Sequence, residues 1–288
     1  MFLKLPVEIR LQIYQYLLVP KQRSSVGVRL DVLGSDYHEY EKTDLDPTSI
    51  GRVLHIRIID PQQPGLSWVA DALPLLRRSK CLVRTDRFRA RTMQTTYTAA
   101  NNPGIEPAIL ATCKLVHSEA AEVLYSSYNF DFDTHVEAIG AFLKDLTPTA
   151  KKCVRSVSLV KRATPYDRDF DRCEWTAATS ALSQLPSLRN LHLGVVAGKP
   201  GPNGWDGIPE WSKQDFETMV KWRNWADFEW VKEIARVRLS KGGVVKVRPI
   251  VEHCPVPGSE SMVFWVAISR NVAGGFGSWV EALILGTA

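Results

Sequence analysis

The chain has 288 residues, of which 45% are hydrophobic, 23% charged and 9% aromatic. This composition excludes collagen-like, low-complexity and wholly disordered proteins, and the length is sufficient for one large or two modest domains with a substantial core. Lys and Arg outnumber Asp and Glu by 36 to 31, which gives a formal net charge of +5 with the six His neutral. So mild an excess permits acidic partners without requiring them.

The five cysteines and the first residues indicate an intracellular protein. The cysteine number is odd and no Cys-x-x-Cys pair occurs, which favours reduced, packed thiols over a disulfide framework. No Asn-x-Ser/Thr glycosylation site is present, and Glu8 and Arg10 interrupt the apolar run that a signal peptide needs. The longest apolar run, at residues 262–268, is too short to span a bilayer. We therefore expect a protein of the cytoplasm or nucleus without membrane contact.

The first predicted element is a helix over residues 5–19. Pro6 suits a first helical turn, Ile9, Ile13 and Leu17 recur every four residues, and Pro20 ends the pattern. A polar stretch follows. The next predicted elements are a strand at residues 53–59, a helix from 107 to about 125, a short strand at 129–132 and a helix at 136–146.

Strands and helices alternate in the second half of the chain. Residues 154–159 (VRSVSL) match residues 188–193 (LRNLHL) position for position at a separation of 34, with a helix predicted between them. This pattern is typical of leucine-rich-repeat-like units, which bury their apolar stripes against one another; a plain βαβ unit is the alternative. A capped helix starting at 212, a helix at 228–237 and a closing hairpin of 244–251 with 262–269 complete the predicted elements.

Two blocks of sequence together resemble a large group of fungal F-box-like proteins of uncharacterised function. Residues 2–18 (FLKLPVEIRLQIYQYLL) have the Leu-Pro start and the four-residue apolar spacing of an F-box first helix. Residues 109–132 have the pattern that accompanies it, with Thr-Cys-Lys at 112–114, Glu-Ala at 119–120, Leu-Tyr at 124–125 and Asn-Phe at 129–130. The blocks cover about 40 of the 288 residues.

The resemblance implies that the first helix binds the adaptor subunit of a cullin-type ubiquitin ligase, while the downstream repeats hold a substrate. Residues 21–106 would then be an insertion between the F-box-like helices, lying beside the adaptor-binding face. The alternative is that the same apolar stripe is simply core. The candidate adaptor-binding residues are Leu5, Pro6, Ile9, Ile13 and Leu17.

The predicted fold class is mixed α/β. Residues 1–148 form an F-box-like helical part with an insertion at about 21–106, and residues 149–288 form a leucine-rich-repeat-like strand–helix layer closed by a C-terminal β-hairpin. Whether the two parts pack as a single domain stays open.

Residues 77–91 of the insertion carry a net charge of +6, so the other 273 residues sum to −1. Guanidinium groups match phosphate oxygens, so this segment predicts an alternative function as a nuclear or nucleic-acid-associated protein; a solvated loop is the simpler interpretation. Only Phe88 and Tyr97 lie near it as stacking aromatics, which disfavours base recognition. Asp86 opposes its seven basic residues, Arg77, Arg78, Lys80, Arg84, Arg87, Arg89 and Arg91.

Tryptophans are concentrated between residues 205 and 230, where five of the nine occur. Trp222 and Trp225 stand at helical spacing, which favours a place in the core. Trp205 and Trp211 lie in or beside a Gly/Pro-rich loop, and we predict that they contact a protein partner, because tryptophan is enriched in binding hot spots.

No catalytic or metal-binding motif is complete. His117 and Glu119 give the His-x-Glu half of a zinc-deaminase signature without its Pro-Cys-x-x-Cys half, so His117 is expected to be structural. The Asp-Phe-Asp sequences at 131–133 and 169–171 are more simply solvated edges than cation sites. No phosphate-binding glycine loop or nucleophile elbow occurs. We predict a non-enzymatic protein-interaction module without cofactor or metal; an enzyme with a site assembled from distant residues is the remaining alternative.

Overall fold

A computed structural model describes residues 2–20, 52–60, 78–86, 91–100, 104–161, 169–200, 204–225, 227–252 and 260–287. The strands of these residues are β1 (Arg52–Ile58), β2 (Cys81–Asp86), β3 (Arg91–Thr95), β4 (Tyr97–Ala99), β5 (Tyr128–Asp131), β6 (Ser156–Lys161), β7 (Asn190–Gly198) and β8 (Val244–Glu252). The α-helices are α1 (Val7–Leu18), α2 (Lys114–Ser127), α3 (Glu137–Asp145), α4 (Pro148–Cys153), α5 (Asp169–Leu182), α6 (Lys213–Arg223), α7 (Glu229–Ile234), α8 (Glu260–Asn271) and α9 (Gly275–Leu285).

Six of the strands form one sheet in the order β4-β1-β5-β6-β7-β8. All neighbours in it are parallel except β4, which runs antiparallel to β1. From β1 onward the chain crosses the sheet in one direction, and right-handed crossovers in one direction place the connecting helices on the same face. Strands β2 and β3 form a separate antiparallel pair. The predicted mixed α/β class is confirmed.

The helix-covered face of the sheet carries a continuous apolar row. Val157 of β6 stands directly opposite Leu191 of β7, so the two sequence segments that match at a separation of 34 are neighbours in the sheet, as predicted. The spacing between equivalent residues differs along the chain, so these units have no fixed repeat length. The row consists of Leu54, Phe130, Val157, Leu191 and Val245, all of which are buried.

The segment expected as an insertion contributes to the central sheet. It supplies β1 and β4, so strands from both predicted parts of the chain share one sheet. The end of the segment returns to the end of α1, where the Glu106 N–H donates to the Leu17 carbonyl at 2.9 Å. The described part of the insertion thus packs at the edge of the sheet and at the C-terminal end of α1.

The predicted C-terminal hairpin is wrong. Residues 262–269 lie in α8, and β8 pairs in parallel with β7 instead. An apolar run of this length fits a buried helix as well as a strand, and periodicity cannot separate the two. In α8, Trp265 and Val266 pack against Val160 and Val196 on the second face of the sheet.

The last helix covers the β8 end of the core. The Phe276 and Trp279 rings of α9 pack against Phe216 of α6, with centroids 5.3 and 5.9 Å apart. At the outer edge of β8, the Glu281 carboxylate accepts from the Val247 N–H at 2.8 Å. No helix in the described ranges combines the length and apolar character that crossing a membrane requires.

Candidate protein-interaction site

Helix α1 is fastened to α2 by a hydrogen-bonded ion pair. Arg10 donates from Nε and Nη2 to the two carboxylate oxygens of Glu119, at 3.0 and 2.6 Å, and the Tyr14 hydroxyl donates to Oε2 at 2.9 Å. The bond from Arg10 holds the pKa of Glu119 below its usual range. Burial and the neighbouring carboxylate raise the pKa of Tyr14 to about 12. Two-point pairing of this kind fixes orientation as well as distance.

The inner face of α1 is buried in the core. Tyr14 and Leu18 are completely buried, and the Tyr128 hydroxyl donates to the Leu18 carbonyl at 3.0 Å. Leu17 is half-buried and packs against the same core. The face of α1 that packs against the core is therefore centred on Tyr14. It is not centred on the apolar residues that recur every four positions in the sequence.

The opposite face of α1 is apolar and open. Ile9, Ile13 and Tyr16 follow one another at helical i, i+4 and i+7 spacing, and Leu5 precedes them. Ile9 is 41% exposed and Tyr16 is 82% exposed, whereas Ile13 is half-buried. We call Leu5, Ile9, Ile13 and Tyr16 the outer stripe of α1.

The structure thus divides the five candidate adaptor-binding residues. Leu5, Pro6 and Ile9 are exposed, Ile13 is half-buried on the same side, and Leu17 turns toward the core. Tyr16 was missed as a candidate, although its position seven residues after Ile9 is the signal that places it on that face.

Three of the seven residues of the basic segment, Arg78, Lys80 and Arg84, have described side chains. Arg78 donates to the Tyr97 carbonyl at 2.7 Å, and its guanidinium carbon lies 5.4 Å from the centroid of the Tyr97 ring. Lys80 is exposed and Arg84 is half-buried. Arg77, Arg87 and Arg89, as well as the Arg91 side chain, lie outside the described part. Nucleic-acid binding by this segment stays a prediction.

The two tryptophans predicted to contact a partner are both half-buried. Trp205 packs against the α8 side of the sheet, and Trp211 lies edge-on to Phe216 with centroids 5.6 Å apart. The prediction that Trp222 and Trp225 lie in the core is partly correct for Trp225, which is half-buried and packs against the core. It is wrong for Trp222, whose side chain is 86% exposed. Helix α6 ends at Arg223, and Asn224 and Trp225 both have positive φ, so Trp225 lies beyond the helix and does not share a helical face with Trp222.

The second face of the sheet is polar where α8 does not cover it. At its β1 end, Arg57 donates to Asp131 Oδ2 at 2.6 Å, and His55 Nδ1 lies 2.8 Å from the same oxygen. Burial would raise the pKa of Asp131, but the hydrogen bond to His55 and the charge of Arg57 hold that pKa well below its usual range. The sequence prediction of a solvated edge at Asp131 is wrong, because its side chain is only 14% exposed and paired.

The same row continues to β8. Asp131 stands opposite Ser158, Ser158 opposite His192, and His192 opposite Lys246. We call His55, Asp131, Ser158, His192 and Lys246, together with Arg57 and Arg248, the polar face of the sheet. Burial, followed by the charges of Lys246 and Arg248, lowers the pKa of His192 to about 4.

His117, which belongs to half of a zinc-deaminase signature in the sequence, is held by two hydrogen bonds. His117 Nδ1 lies 3.0 Å from the Leu110 carbonyl and Nε2 lies 2.9 Å from the Thr147 hydroxyl, so His117 is the hydrogen-bonded structural residue that was predicted. Among the described side chains, no group of three His, Cys, Asp or Glu is arranged to hold a metal ion. A cavity of about 10 Å³ beside Lys161 and Trp175 has room for about one water molecule.

Comparisons of the chain with protein-family models, with curated proteins and with solved structures found no match. The F-box-like resemblance therefore stays a prediction from two sequence blocks, and the outer stripe of α1 is the feature on which a function can be proposed.

Proposed function

We propose that this chain is a non-enzymatic protein-interaction module that binds its partner through the outer stripe of α1. The observation that carries the proposal is a helix with apolar side chains on two faces, of which only the inner face is buried. The partner that the sequence resemblance implies is the adaptor subunit of a cullin-type ubiquitin ligase. The chain would then act as a substrate receptor.

Burial of the outer stripe would supply a substantial part of the binding free energy. Removing an Ile or Tyr side chain from water contributes about 25 cal/mol for each Å² of apolar surface. Ile9 and Tyr16 retain much of that surface in the free chain. Contiguous exposed apolar residues of this kind mark interaction sites more often than isolated ones do.

The outer stripe is also preorganised. Arg10 and Tyr14 hold α1 against α2 through Glu119, so the helix does not have to be ordered when the partner binds. Association of rigid elements avoids the entropic cost that lowers the affinity of flexible ones. The anchoring residues and the outer stripe lie on different sides of α1, so either can be changed separately.

The test is a pull-down of the purified adaptor subunit with the whole chain. We expect retention by the unmodified chain and a loss of at least about tenfold for Ile9→Asp, because the substitution would place a carboxylate within an apolar contact. Val263→Asp is the matched control, since Val263 is an exposed aliphatic residue, 53% exposed, on another helix. Retention that Ile9→Asp leaves unchanged, or no retention of the adaptor at all, contradicts the proposal.

A second variant separates binding from folding. Tyr16→Ser removes the most exposed ring of the outer stripe, and Tyr16 contributes little to the core at 82% exposure. We expect weaker retention of the adaptor with an unchanged melting temperature. A fall in melting temperature for both variants would mean that the outer stripe stabilises the fold rather than a complex.

A further inference from the structure

The charges on the polar face of the sheet are unevenly neutralised. At the β1 end, Asp131 accepts from Arg57 and contacts His55, so its negative charge is already compensated. At the β8 end, neither Lys246 nor Arg248 forms a salt bridge with any residue that the structure describes. Among the described residues, the positive charge at the β8 end is therefore not neutralised by an ion pair.

The cationic groups of the β8 end share one side of the sheet. Lys246 and Arg248 are two residues apart on β8, so their side chains leave the same face about 6.6 to 6.8 Å apart. His192 lies beside Lys246 on the neighbouring strand, at the spacing of about 4.8 Å between strands. The lowered pKa of His192 agrees with this placement, because both cations contribute to it.

Both cations are accessible, and one has unused hydrogen-bonding capacity. Lys246 is exposed and Arg248 is half-buried. Arg248 Nε is buried and has no hydrogen-bond partner within the described part of the chain. Because Nε is buried, an incoming anion would contact the terminal guanidinium nitrogens of Arg248 and not Nε. The carboxylates whose charges act on Arg248 are those of Asp131 and Asp133. The Asp131 carboxylate already accepts a hydrogen bond from Arg57.

We propose that the β8 end of the polar face binds an acidic peptide in extended conformation. Alternate side chains of an extended peptide repeat at the same distance as Lys246 and Arg248, so carboxylates two residues apart can reach one cation each. Ser158 and His192 of the same row are buried, at 4% and 8% exposure, so the peptide would contact the two cations and not these side chains. The proposal does not depend on the function proposed for α1.

The chemistry of the polar face favours a peptide over a nucleic acid. Single-stranded nucleic acids are bound by basic grooves in which aromatic rings stack on the bases. The residues that define the polar face carry no aromatic ring other than the imidazoles of His55 and His192. Pairing of the peptide backbone with the edge of β8 is also disfavoured, because the Glu281 carboxylate already accepts from the Val247 N–H.

The test is fluorescence anisotropy of a labelled decapeptide of alternating Asp and Ser, titrated with the whole chain. A decapeptide of alternating Asn and Ser is the neutral probe. We expect the acidic peptide to bind at least about tenfold more tightly than the neutral one, with an affinity that falls as the salt concentration rises. Equal affinity for the two peptides overturns the proposal.

Substitutions locate the site. Lys246→Gln together with Arg248→Gln should weaken binding of the acidic peptide by about tenfold or more, because both charge-assisted hydrogen bonds are lost. Lys232→Gln together with Arg238→Gln is the matched control, as it removes the same two charge types from exposed positions outside the polar face. Equal weakening by the two double variants would overturn the assignment to this site.

Two further measurements decide between explanations. A single-stranded DNA decamer that binds more tightly than the acidic peptide, with the same dependence on Lys246 and Arg248, would overturn the choice of a peptide. Ile9→Asp should leave peptide affinity unchanged, so failure of the adaptor pull-down and failure of peptide binding are distinguishable. An unchanged melting temperature of the double variant shows that the fold is intact, since Lys246 is exposed.

Discussion

The ion pair between Arg57 and Asp131 should contribute strongly to the stability of the fold. Their side chains are 10% and 14% exposed, and the shortest contact, from Arg57 Nη2 to Asp131 Oδ2, is 2.6 Å. Asp131→Asn keeps the shape and one oxygen acceptor but removes the negative charge. Arg57 would then keep the backbone carbonyls of residues 56 and 131 and an amide oxygen as acceptors, and the Asp133 carboxylate, 3.6 Å from its Nη2, would be the remaining negative charge.

The expected cost follows from this geometry. Removing one partner of a buried ion pair costs about 3 to 5 kcal/mol. Because the new amide can still accept from Arg57, we expect a cost just below this range, about 2 to 3 kcal/mol of unfolding free energy. Asp227→Asn is the control, since the pair of Asp227 with Arg223 is largely exposed. That change should cost less than about 0.5 kcal/mol.

Urea denaturation followed by tryptophan fluorescence measures both changes. The contribution of Asp131 should be fully present above the usual aspartate pKa of about 4 and decrease as the pH falls below it. The sign follows because the pKa of Asp131 is lowered in the folded state, so the unfolded chain takes up the proton first. The reasoning is refuted if Asp131→Asn lowers the free energy of unfolding by less than about 1 kcal/mol near neutral pH. It is also refuted if the difference in unfolding free energy between the unmodified chain and Asp131→Asn does not become smaller in acid.

Two further predictions concern glycines and thiols. A Cβ at Gly275 would lie 2.0 Å from the Trp211 carbonyl oxygen, so Gly275→Ala should lower the melting temperature strongly; Gly140→Ala, in the open middle of α3, should raise stability by about 0.5 to 1 kcal/mol. A melting temperature equal to that of the unmodified chain for Gly275→Ala would contradict this packing. Burial raises the pKa of Cys81 to about 12, so at mildly alkaline pH a thiol reagent should modify exposed Cys113 well before Cys81, as peptide mapping would show.

Local patterns were sufficient for much of the fold. Proline and apolar spacing located α1, and the capping residue at 212 located the start of α6, where Ser212 and Asp215 form a capping box. The match between residues 154–159 and 188–193 correctly identified two strands that are neighbours in the sheet. These features depend on a few adjacent residues, and their physical causes act locally.

The features that were missed depend on distant residues. The strand expected at residues 262–269 is a helix, because β7 already offers β8 a parallel partner and an apolar run fits either element. Nothing in the sequence of β5 alone shows that Asp131 faces Arg57, since β1 and β5 meet only in the folded sheet. The polar face could therefore not be predicted, whereas the sequence pattern of α1 identified Leu5, Ile9 and Ile13 of the outer stripe, missed Tyr16 and included Leu17, which packs against the core.

The hydrogen bond from the Val247 N–H to the Glu281 carboxylate occupies a backbone donor at the outer edge of β8, the last strand of the central sheet. Backbone groups of alternate residues point to the same side of a strand, so Val247 and Pro249 both turn away from β7. Val247 has its N–H occupied by a carboxylate, and Pro249 has no N–H to offer. A strand from a second molecule would find no free donor at these two positions, and removing donors from an edge is one way in which natural sheets avoid growing into fibres. The described border of the sheet is thus protected at two of its positions against edge-to-edge pairing with another strand.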